Sequence, residues 1–311
     1  MAEPPREPPF FSVIMPVYNH AAYVADAVRS VQAQTYPRWE LIVVDDGSTD
    51  GSADIVDSLA ASDGRITAVH QANAGPAAAR NKALTLARGE WLAYIDSDDL
   101  WFEKALQHYA DAIAANPEAS FFHGYRHRLN ADGSITELAG EFQDRVTGTA
   151  ELFGRMFLSH LCVCYRRTLI DRAGPYDDRL RSCEDYELYL RMSLLCRFVP
   201  LGLPTGLRRR HASNLSRRTG HSRMLEAEVL RRFAEGAGAA ALAPGRVKRR
   251  LASLYRSAAK QYFKTRRFRE AAHAAGCARR IRPTLSCMGL SLLARCLAPL
   301  GRSDDRPMPK L

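Results

Sequence analysis

The first 116 residues repeat one alternation: a short apolar run, a polar turn, then a stretch with apolar positions three and four apart. Apolar runs at 11–15, 40–44, 66–69 and 91–95 have the length of strands. Between them, 21–34, 52–61 and 76–88 read as helices, with Ile55, Val56 and Leu59 on one face of the second. Pro16 is expected to stop the first strand and Asn19 to cap the first helix. Pro76 is tolerated as the first helical position of the third helix, and Gly89 closes that helix. A fourth helix is predicted over 100–116, stopped by Pro117. A βαβα series of this kind predicts an α/β fold: a mostly parallel central sheet flanked by helices.

The pattern changes after Pro117. Runs at 121–129 and 135–138 flank Asn130-Ala131-Asp132-Gly133-Ser134, a hairpin signal. A helix is predicted over 152–157, a strand over 161–165 and a helix over 186–195. Beyond Arg223 nearly everything is helical: 224–235, 247–263 and 268–281, the last two joined as an αα-hairpin by residues 264–267. A single hairpin falls short of a repeat array.

Charge separates the two ends. The 311 residues carry a formal net charge of +10, but residues 246–311 hold 17 Lys/Arg against 3 Asp/Glu, a balance of +14. The remaining 27 basic and 31 acidic residues leave 1–245 at −4. A basic appendage favours anionic partners such as lipid head groups, nucleic acid or polyanionic glycans. Segment 285–300 is apolar but short and carries Arg295, so it suits a membrane surface better than a crossing. No run of about 18 apolar residues occurs, and 1–9 is Pro-rich without an apolar signal core. Seven cysteines without a CxxC read as reduced thiols. These features predict a cytoplasmic protein able to lie peripherally at the inner face of the membrane.

The candidate chemistry sits at the ends of the apolar runs. Asp96-Ser97-Asp98-Asp99 packs three carboxylates into four positions after a buried strand. In open α/β sheets ligands bind outside the carboxyl ends of strands, and hard divalent cations take oxygen ligands beside substrate phosphates. The cluster therefore suggests a metal holding a phosphorylated donor; the structural alternative is Asp98 or Asp99 capping the next helix. Pro16-Val17-Tyr18-Asn19 ends the first strand, where Tyr18 can stack on a base or be a surface aromatic in a turn. Asp45-Asp46-Gly47-Ser48-Thr49-Asp50 ends the second, offering a carboxylate to a base or ribose, or an N-cap and turn. Asn73-Ala74-Gly75-Pro76 opens the third helix, whose N-terminus and Arg80 can face phosphate, or simply form a loop-to-helix junction. Glu184-Asp185 precedes an apolar helix and offers a general base or a stabilised first turn. His211 follows three arginines, 208–210, near Ser213 and Ser216, a setting that suits phosphate or a metal.

Taken in order, VIMPVYNHAAYV, ELIVVDDGSTDGS, NAGPAAARNKAL, ARGEWLAYIDSDDLW, CEDYELYLRM and RRRHASNLS resemble the family 2 glycosyltransferases of the GT-A fold, over residues 11–216. The resemblance implies an inverting transferase that uses a nucleotide-sugar donor, by default a UDP-sugar, with Mg2+ or Mn2+. It implies that Tyr18 stacks on the base at the Pro16 strand end and that Asp46 or Asp45 accepts from it. It further implies that Asp96 approaches the ribose or orders the site, that Asp98 ligates the metal, and that His211 lies near the diphosphate. Asp185 matches the catalytic base, with Glu184 beside it. The acceptor would be a carbohydrate, lipid-linked or other hydroxyl in cell-surface polysaccharide or glycoconjugate synthesis, bound by the hairpin and the 161–165 region. The implied organisation is a tail at 1–10, a GT-A domain at 11–222 (nucleotide-binding part 11–116, acceptor part 117–222) and a basic helical extension at 223–311.

Two other classes fit less well. Aspartate-nucleophile phosphatases place their Asp-x-Asp after the first strand and follow it with Gly-Thr, whereas here the first strand ends in Pro-Val-Tyr-Asn. A nucleic-acid binder would use Tyr255, Tyr262, Phe263 and Phe268 among the basic residues, but their helical spacing is more simply a hairpin core.

Overall fold

A computed structural model of the chain describes residues 10–138, 145–211 and 219–300. Along the chain run β1 (Phe11–Val17), α1 (Val24–Gln32), β2 (Trp39–Asp45), α2 (Ser52–Ser62), β3 (Ile66–His70), α3 (Pro76–Leu84) and β4 (Trp91–Tyr94). Then come β5 (Leu100–Trp101), α4 (Ala105–Ala115), β6 (Phe121–Leu129), β7 (Ile135–Thr136), α5 (Thr149–Gly154), β8 (Val163–Arg166), α6 (Arg167–Ala173) and α7 (Glu184–Met192). The last are β9 (Val199–Arg209), α8 (Gly220–Glu235), α9 (Pro244–Lys264), α10 (Phe268–Ile281) and α11 (Leu285–Leu297). The chain divides into two units. The first holds the described residues up to Gly148, Phe157–Glu184 and 195–211. The second holds Thr149–Met156, Asp185–Leu194 and the described residues from 219 onward.

In the first unit one sheet runs β3-β2-β1-β4-β8-β6-β9-β5, with β7 paired to β6. The block β3-β2-β1-β4 is wholly parallel, as the βαβα pattern requires; Val13 lies opposite Leu41 on one side and Ala93 on the other. β8 joins β4 antiparallel, β6 joins β8 antiparallel, β9 runs parallel to β6, and β5 closes the edge antiparallel to β9. Mostly apolar sequence makes β1, β2 and β4 buried on both faces, and the polar Ser12 and Glu40 within them satisfy each other at 2.6 Å. Val24, Ala27, Val28 and Val31 of α1 supply one helical stripe to the core formed with Val13, Met15, Leu41, Val43, Trp91 and Trp101.

Several local expectations are corrected. Pro16 does not stop β1, which continues to Val17. Ile95 N donates to Ile14 O at 3.2 Å, so even positions of β1 face β4. β4 ends beside Ile14, and the N–H that Pro16 lacks has no ladder partner to miss. Asn19 is not a helix cap: at φ +54° its Oδ1 accepts from Thr49 N at 2.8 Å, tying two loops together. The helix expected over 100–116 begins only at Ala105, because Leu100 and Trp101 pair with Leu207 and Gly206. α3 ends at Leu84, well before Gly89. Leu161 and Cys162 lie in a short 3-10 turn, and the strand expected from 161 starts at Val163.

β9 had no sequence signature, since two prolines and two glycines interrupt VPLGLPTGLRR. It pairs with β6 through irregular register, and Gly124 lets the two approach: a Cβ there would meet Thr205 Cγ2 at 2.7 Å.

His123 of β6 is 2% exposed, and burial lowers its pKa to about 4. His160 is shifted well down for the same reason, with Arg80 adding to it. A depressed pKa means that the unfolded chain binds the proton first. The stability is therefore whole above pH 6.5 and is lost as pH falls from 6.5 toward about 4. At 1.36 kcal/mol per unit, His123 costs about 2 kcal/mol by pH 5. Urea midpoints at pH 7 and pH 5 check this: the loss should be smaller in His123→Gln than in the wild type.

The second unit is helical. Thr219 and Ser222 form a capping box at α8, Ser222 N donating to Thr219 Oγ1 at 3.1 Å and Thr219 N to Ser222 Oγ at 2.9 Å. α9 starts on Pro244. α9 and α10 form the expected αα-hairpin: Leu251, Leu254, Tyr255, Ala258 and Tyr262 are buried on α9, and Phe268, Ala271, Ala274, Ala275 and Ala278 on α10. The alanine face of α10 allows close approach to α9, and the Phe263 and Phe268 rings meet at 5.1 Å across the turn. Tyr255 and Tyr262 are thus core residues, which removes them from any nucleic-acid face. Among the described residues no helix is long and apolar enough to cross a membrane.

Candidate active site

Four strand ends and the loops after them build the site of the first unit. β1 and β2 finish in register, Val17 opposite Asp45, and Asp46 N donates to Val17 O at 2.8 Å. Tyr18 follows, 48% exposed, so its ring is free to take a flat partner. Pro16 lies behind it within β1. The two aspartates after β2 do different things. The Asp46 carboxylate accepts from Gln71 Nε2 at 2.7 Å, Ala74 N at 2.9 Å and Gly75 N at 2.8 Å. It thereby holds the 71–75 loop, where Gly75 needs φ +97° just before Pro76. Asp45 meets only long contacts, Ser48 N at 3.3 Å and His70 Nδ1 at 3.5 Å. His70 also reaches Asp57 at 2.9 Å, and these two carboxylates, Asp57 first, raise its pKa.

Removing the Asp46 carboxylate leaves three donors without their acceptor; of these Gly75 N is buried, and an unsatisfied buried group costs about 1–3 kcal/mol. Asp46→Ala is therefore expected to lower the urea midpoint and to loosen the 71–75 loop, seen as faster amide exchange at Ala74 and Gly75.

After β4 the acidic cluster turns back on itself, Asp99 N donating to Asp96 O at 3.0 Å. Ligand atoms of Asp96, Asp98 and Asp99 lie within 4.8 Å of one another. Asp99 is buried, accepts from Arg209 N at 2.9 Å, and does not cap a helix. Burial and then the neighbouring Asp98 and Asp96 charges push its pKa well above the carboxylate range. Asp98 faces the other way, with His211 Nε2 2.8 Å from its Oδ2. His20, Asp98 and His211 form a second group whose ligand atoms lie within 4.8 Å of one another. His20 is held by Ser97 Oγ at 2.7 Å, and Tyr23 stacks on the His211 ring at 4.7 Å. Carboxylate oxygens crowded to the point of raising one pKa, beside two imidazoles, fit a divalent cation; Mg2+ suits the oxygens, and Mn2+ suits oxygen and nitrogen together.

Arg80 is the hub on the other side of the cluster. It is 5% exposed, and it donates to Asp96 Oδ1 at 3.0 Å and Glu184 Oε1 at 2.6 Å. Its guanidinium is thus spent on carboxylates of the protein. Below it, Tyr94, Tyr165 and Tyr176 join hydroxyls in a buried chain, with the His160 ring 4.5 Å from Tyr94. Glu184 is buried, and Asp185 comes next in the first turn of α7, half-buried, with its Oδ1 accepting from Tyr186 N at 2.7 Å.

The first unit thus gathers Pro16, Tyr18, Asp45, Asp46, Arg80, Asp96, Asp98, Glu184 and His211 around the carboxyl edge of the parallel strands. Asp185 belongs to the second unit. Of the motif RRRHASNLS, residues 212–216 lie outside the described residues, as does the tail 1–9. Sequence reading missed His20, Tyr23 and Arg209. The signal for His20 was its place right after β1, two residues beyond Tyr18. Arg209 was read only as one of the three arginines before His211, because β9 was not recognised as a strand.

A parallel nucleotide-binding-type sheet extended by a mixed half, with an Asp-x-Asp at the end of β4, defines the GT-A class of glycosyltransferases. The profile of Glycosyl transferase family 2 matches residues 12–173, and the chain belongs to that family. A Bacillus subtilis protein, TuaG, described as a candidate teichuronic acid biosynthesis glycosyltransferase, is 44% identical over 118 residues, which cover 38% of this chain and 47% of TuaG. Glycosyltransferase GlyG of Streptococcus pneumoniae is 41% identical over 97 residues, 31% of this chain and 32% of GlyG. The chain thus matches about half or less of the length of these relatives. Among solved structures, S. aureus TarS crystallised with UDP has the same fold, with a TM-score of 0.65 at 19% identity, covering 93% of this chain and 90% of that one. The mannosyltransferase PcManGT of Pyrobaculum calidifontis, solved with GDP-Man and Mn2+, gives 0.55 at 21% identity, covering 95% and 82%.

Proposed function

We propose that the protein is an inverting transferase that moves a sugar from a nucleotide-sugar donor, a UDP-sugar in the first instance, to a hydroxyl of a growing cell-surface glycan. The observation that carries the reading is the convergence of Asp96, Asp98 and His211 at the end of β4, beside the strand ends that bear Tyr18 and Asp45. The TarS complexes with UDP and UDP-GlcNAc support the choice of nucleotide, and the teichuronic acid assignment of TuaG supports the acceptor class.

Tyr18 offers its face to the base, and Asp45, with only long contacts of its own, accepts from the base edge. Asp46 holds the loop that shapes this pocket rather than the base itself. Asp98, with His20 and His211, would hold Mg2+ or Mn2+, and Asp96 orders the cluster through Arg80. A divalent cation bound there supplies countercharge to the departing diphosphate. Asp185 takes the proton from the acceptor hydroxyl as that oxygen attacks the anomeric carbon from the face opposite the diphosphate. One displacement inverts the configuration. Glu184 fixes the start of α7 through its bond to Arg80.

Incubation with UDP-GlcNAc, UDP-Glc, UDP-Gal and GDP-Man, with Mn2+ or Mg2+, tests the reading through release of nucleoside diphosphate. One UDP-sugar should be hydrolysed preferentially and only with metal present. Release of inorganic phosphate instead would point to a phosphatase, and no turnover of any donor would remove the reading.

A further inference from the structure

Helix α11 packs the wrong way round for a water-facing helix. Its contacts go mainly to α10, and among its described side chains the buried ones are small, Ser291 and Ala294. Three of its large apolar side chains point outward, Met288 at 50% exposed, Leu292 at 67% and Leu293 at 49%, while Leu290 and Leu297 are half-buried. At 100° per residue Met288 and Leu292 stand in one row, exposed Cys296 continues it, and Leu293 lies beside it. Single exposed leucines are ordinary on a protein surface; three large apolar side chains on one face of one helix are a patch that calls for a partner.

What surrounds the patch selects that partner. Arg279 and Arg280 at the end of α10 and Arg282 just after it are all exposed, and the chain turns from them directly into α11. Arg295 is exposed on α11 itself, one turn from Leu292. No Asp or Glu occurs between Glu270 and Leu300. Nucleic acid would take the arginines but leave the leucines in water. An anionic bilayer takes both, head groups meeting guanidinium and acyl chains meeting Leu and Met. We infer that the outward face of α11, with Arg279, Arg280, Arg282 and Arg295 beside it, docks on an anionic lipid surface, the helix lying in the interface without crossing it. This goes beyond the proposed transfer reaction and does not depend on it.

The test uses the full chain, flotation with phosphatidylcholine vesicles and with vesicles containing one-third phosphatidylglycerol, and size-exclusion light scattering. The wild type should float with the anionic vesicles, fail to float with the neutral ones, and be released by 1 M salt, where the Debye length is about 3 Å. Leu292→Ser/Leu293→Ser, which changes only exposed side chains, should weaken partition at least about tenfold, since burial of each CH2 is lost. Arg279→Gln/Arg280→Gln/Arg282→Gln should weaken it on the order of a hundredfold. Thermal midpoints unchanged in both variants confirm that folding is intact. Absence of flotation, equal flotation with neutral vesicles, or flotation unaffected by either variant overturns the inference. A dimer in solution that Leu292→Ser/Leu293→Ser dissolves also overturns it, because the face would then belong to a second copy of the chain. Donor hydrolysis measured in parallel without vesicles keeps this outcome separate from that of the transfer reading.

Discussion

Asp98→Ala is expected to lower metal-dependent donor turnover by at least about 10^3, because stabilisation of charge on the leaving group is the term it removes. The residue is positioned for this and for little else. Its side chain is 13% exposed, its Oδ2 lies 2.8 Å from His211 Nε2, and it belongs to both groups of ligand atoms, with Asp96 and Asp99 and with His20 and His211. Asp99, by contrast, is committed to Arg209 N, and Asp96 to Arg80. Isothermal titration of Mn2+ in the presence of UDP should show the loss directly, with circular dichroism unchanged. Asp99→Asn should keep much of the activity, since burial and the neighbouring carboxylates already favour its protonated form. Full turnover of the wild type in excess chelator would reject the metal role for the whole cluster.

Asp185→Asn is expected to cost about 10^2–10^4 in turnover with donor affinity retained, the range for removal of a general base. The asparagine keeps Oδ1 for the bond that Asp185 now accepts from Tyr186 N, so the first turn of α7 should survive. Glu184→Gln should behave differently. Glu184 is buried against Arg80 at 2.6 Å, and a hydrogen bond to a charged group contributes about 1.5–3 kcal/mol. Its loss should appear first in the thermal midpoint and only secondarily in turnover. If instead Glu184→Gln is stable and inactive while Asp185→Asn is near normal, the base is Glu184.

The parallel block of the sheet was legible in the sequence because β1, β2 and β4 are predominantly apolar runs punctuated by Asp, Gly and Pro. The carboxylates at their ends were legible for the same reason. What was hidden depends on partners far along the chain. Leu100 and Trp101 read as the start of a helix, and only pairing with Leu207 and Gly206 makes them a strand. β9 itself carries Pro200, Gly202, Pro204 and Gly206, residues that mark loops locally but here allow close passage against β6. Asp46 looked equivalent to Asp45, and nothing in the local sequence could reveal that Gln71, Ala74 and Gly75 would occupy it. His20 was passed over because its neighbours in the site, Asp98 and His211, are remote in sequence.

The late position of β9 has a temporal consequence. Asp99 is separated by 110 residues from Arg209, whose N–H it accepts, and Asp98 by 113 from His211. At about 5–20 residues per second, a ribosome takes roughly 5–25 s to travel that distance. In the later part of that interval, once β6 has been made, the nascent chain holds a complete parallel block and an acidic cluster that lacks its arginine and histidine, with the β6 edge that β9 will cover still unpaired. An uncovered strand edge templates association between chains. A fragment cut at residue 173, where the family match ends, would be fixed in that unfinished state, and its fate should be aggregation rather than weak activity.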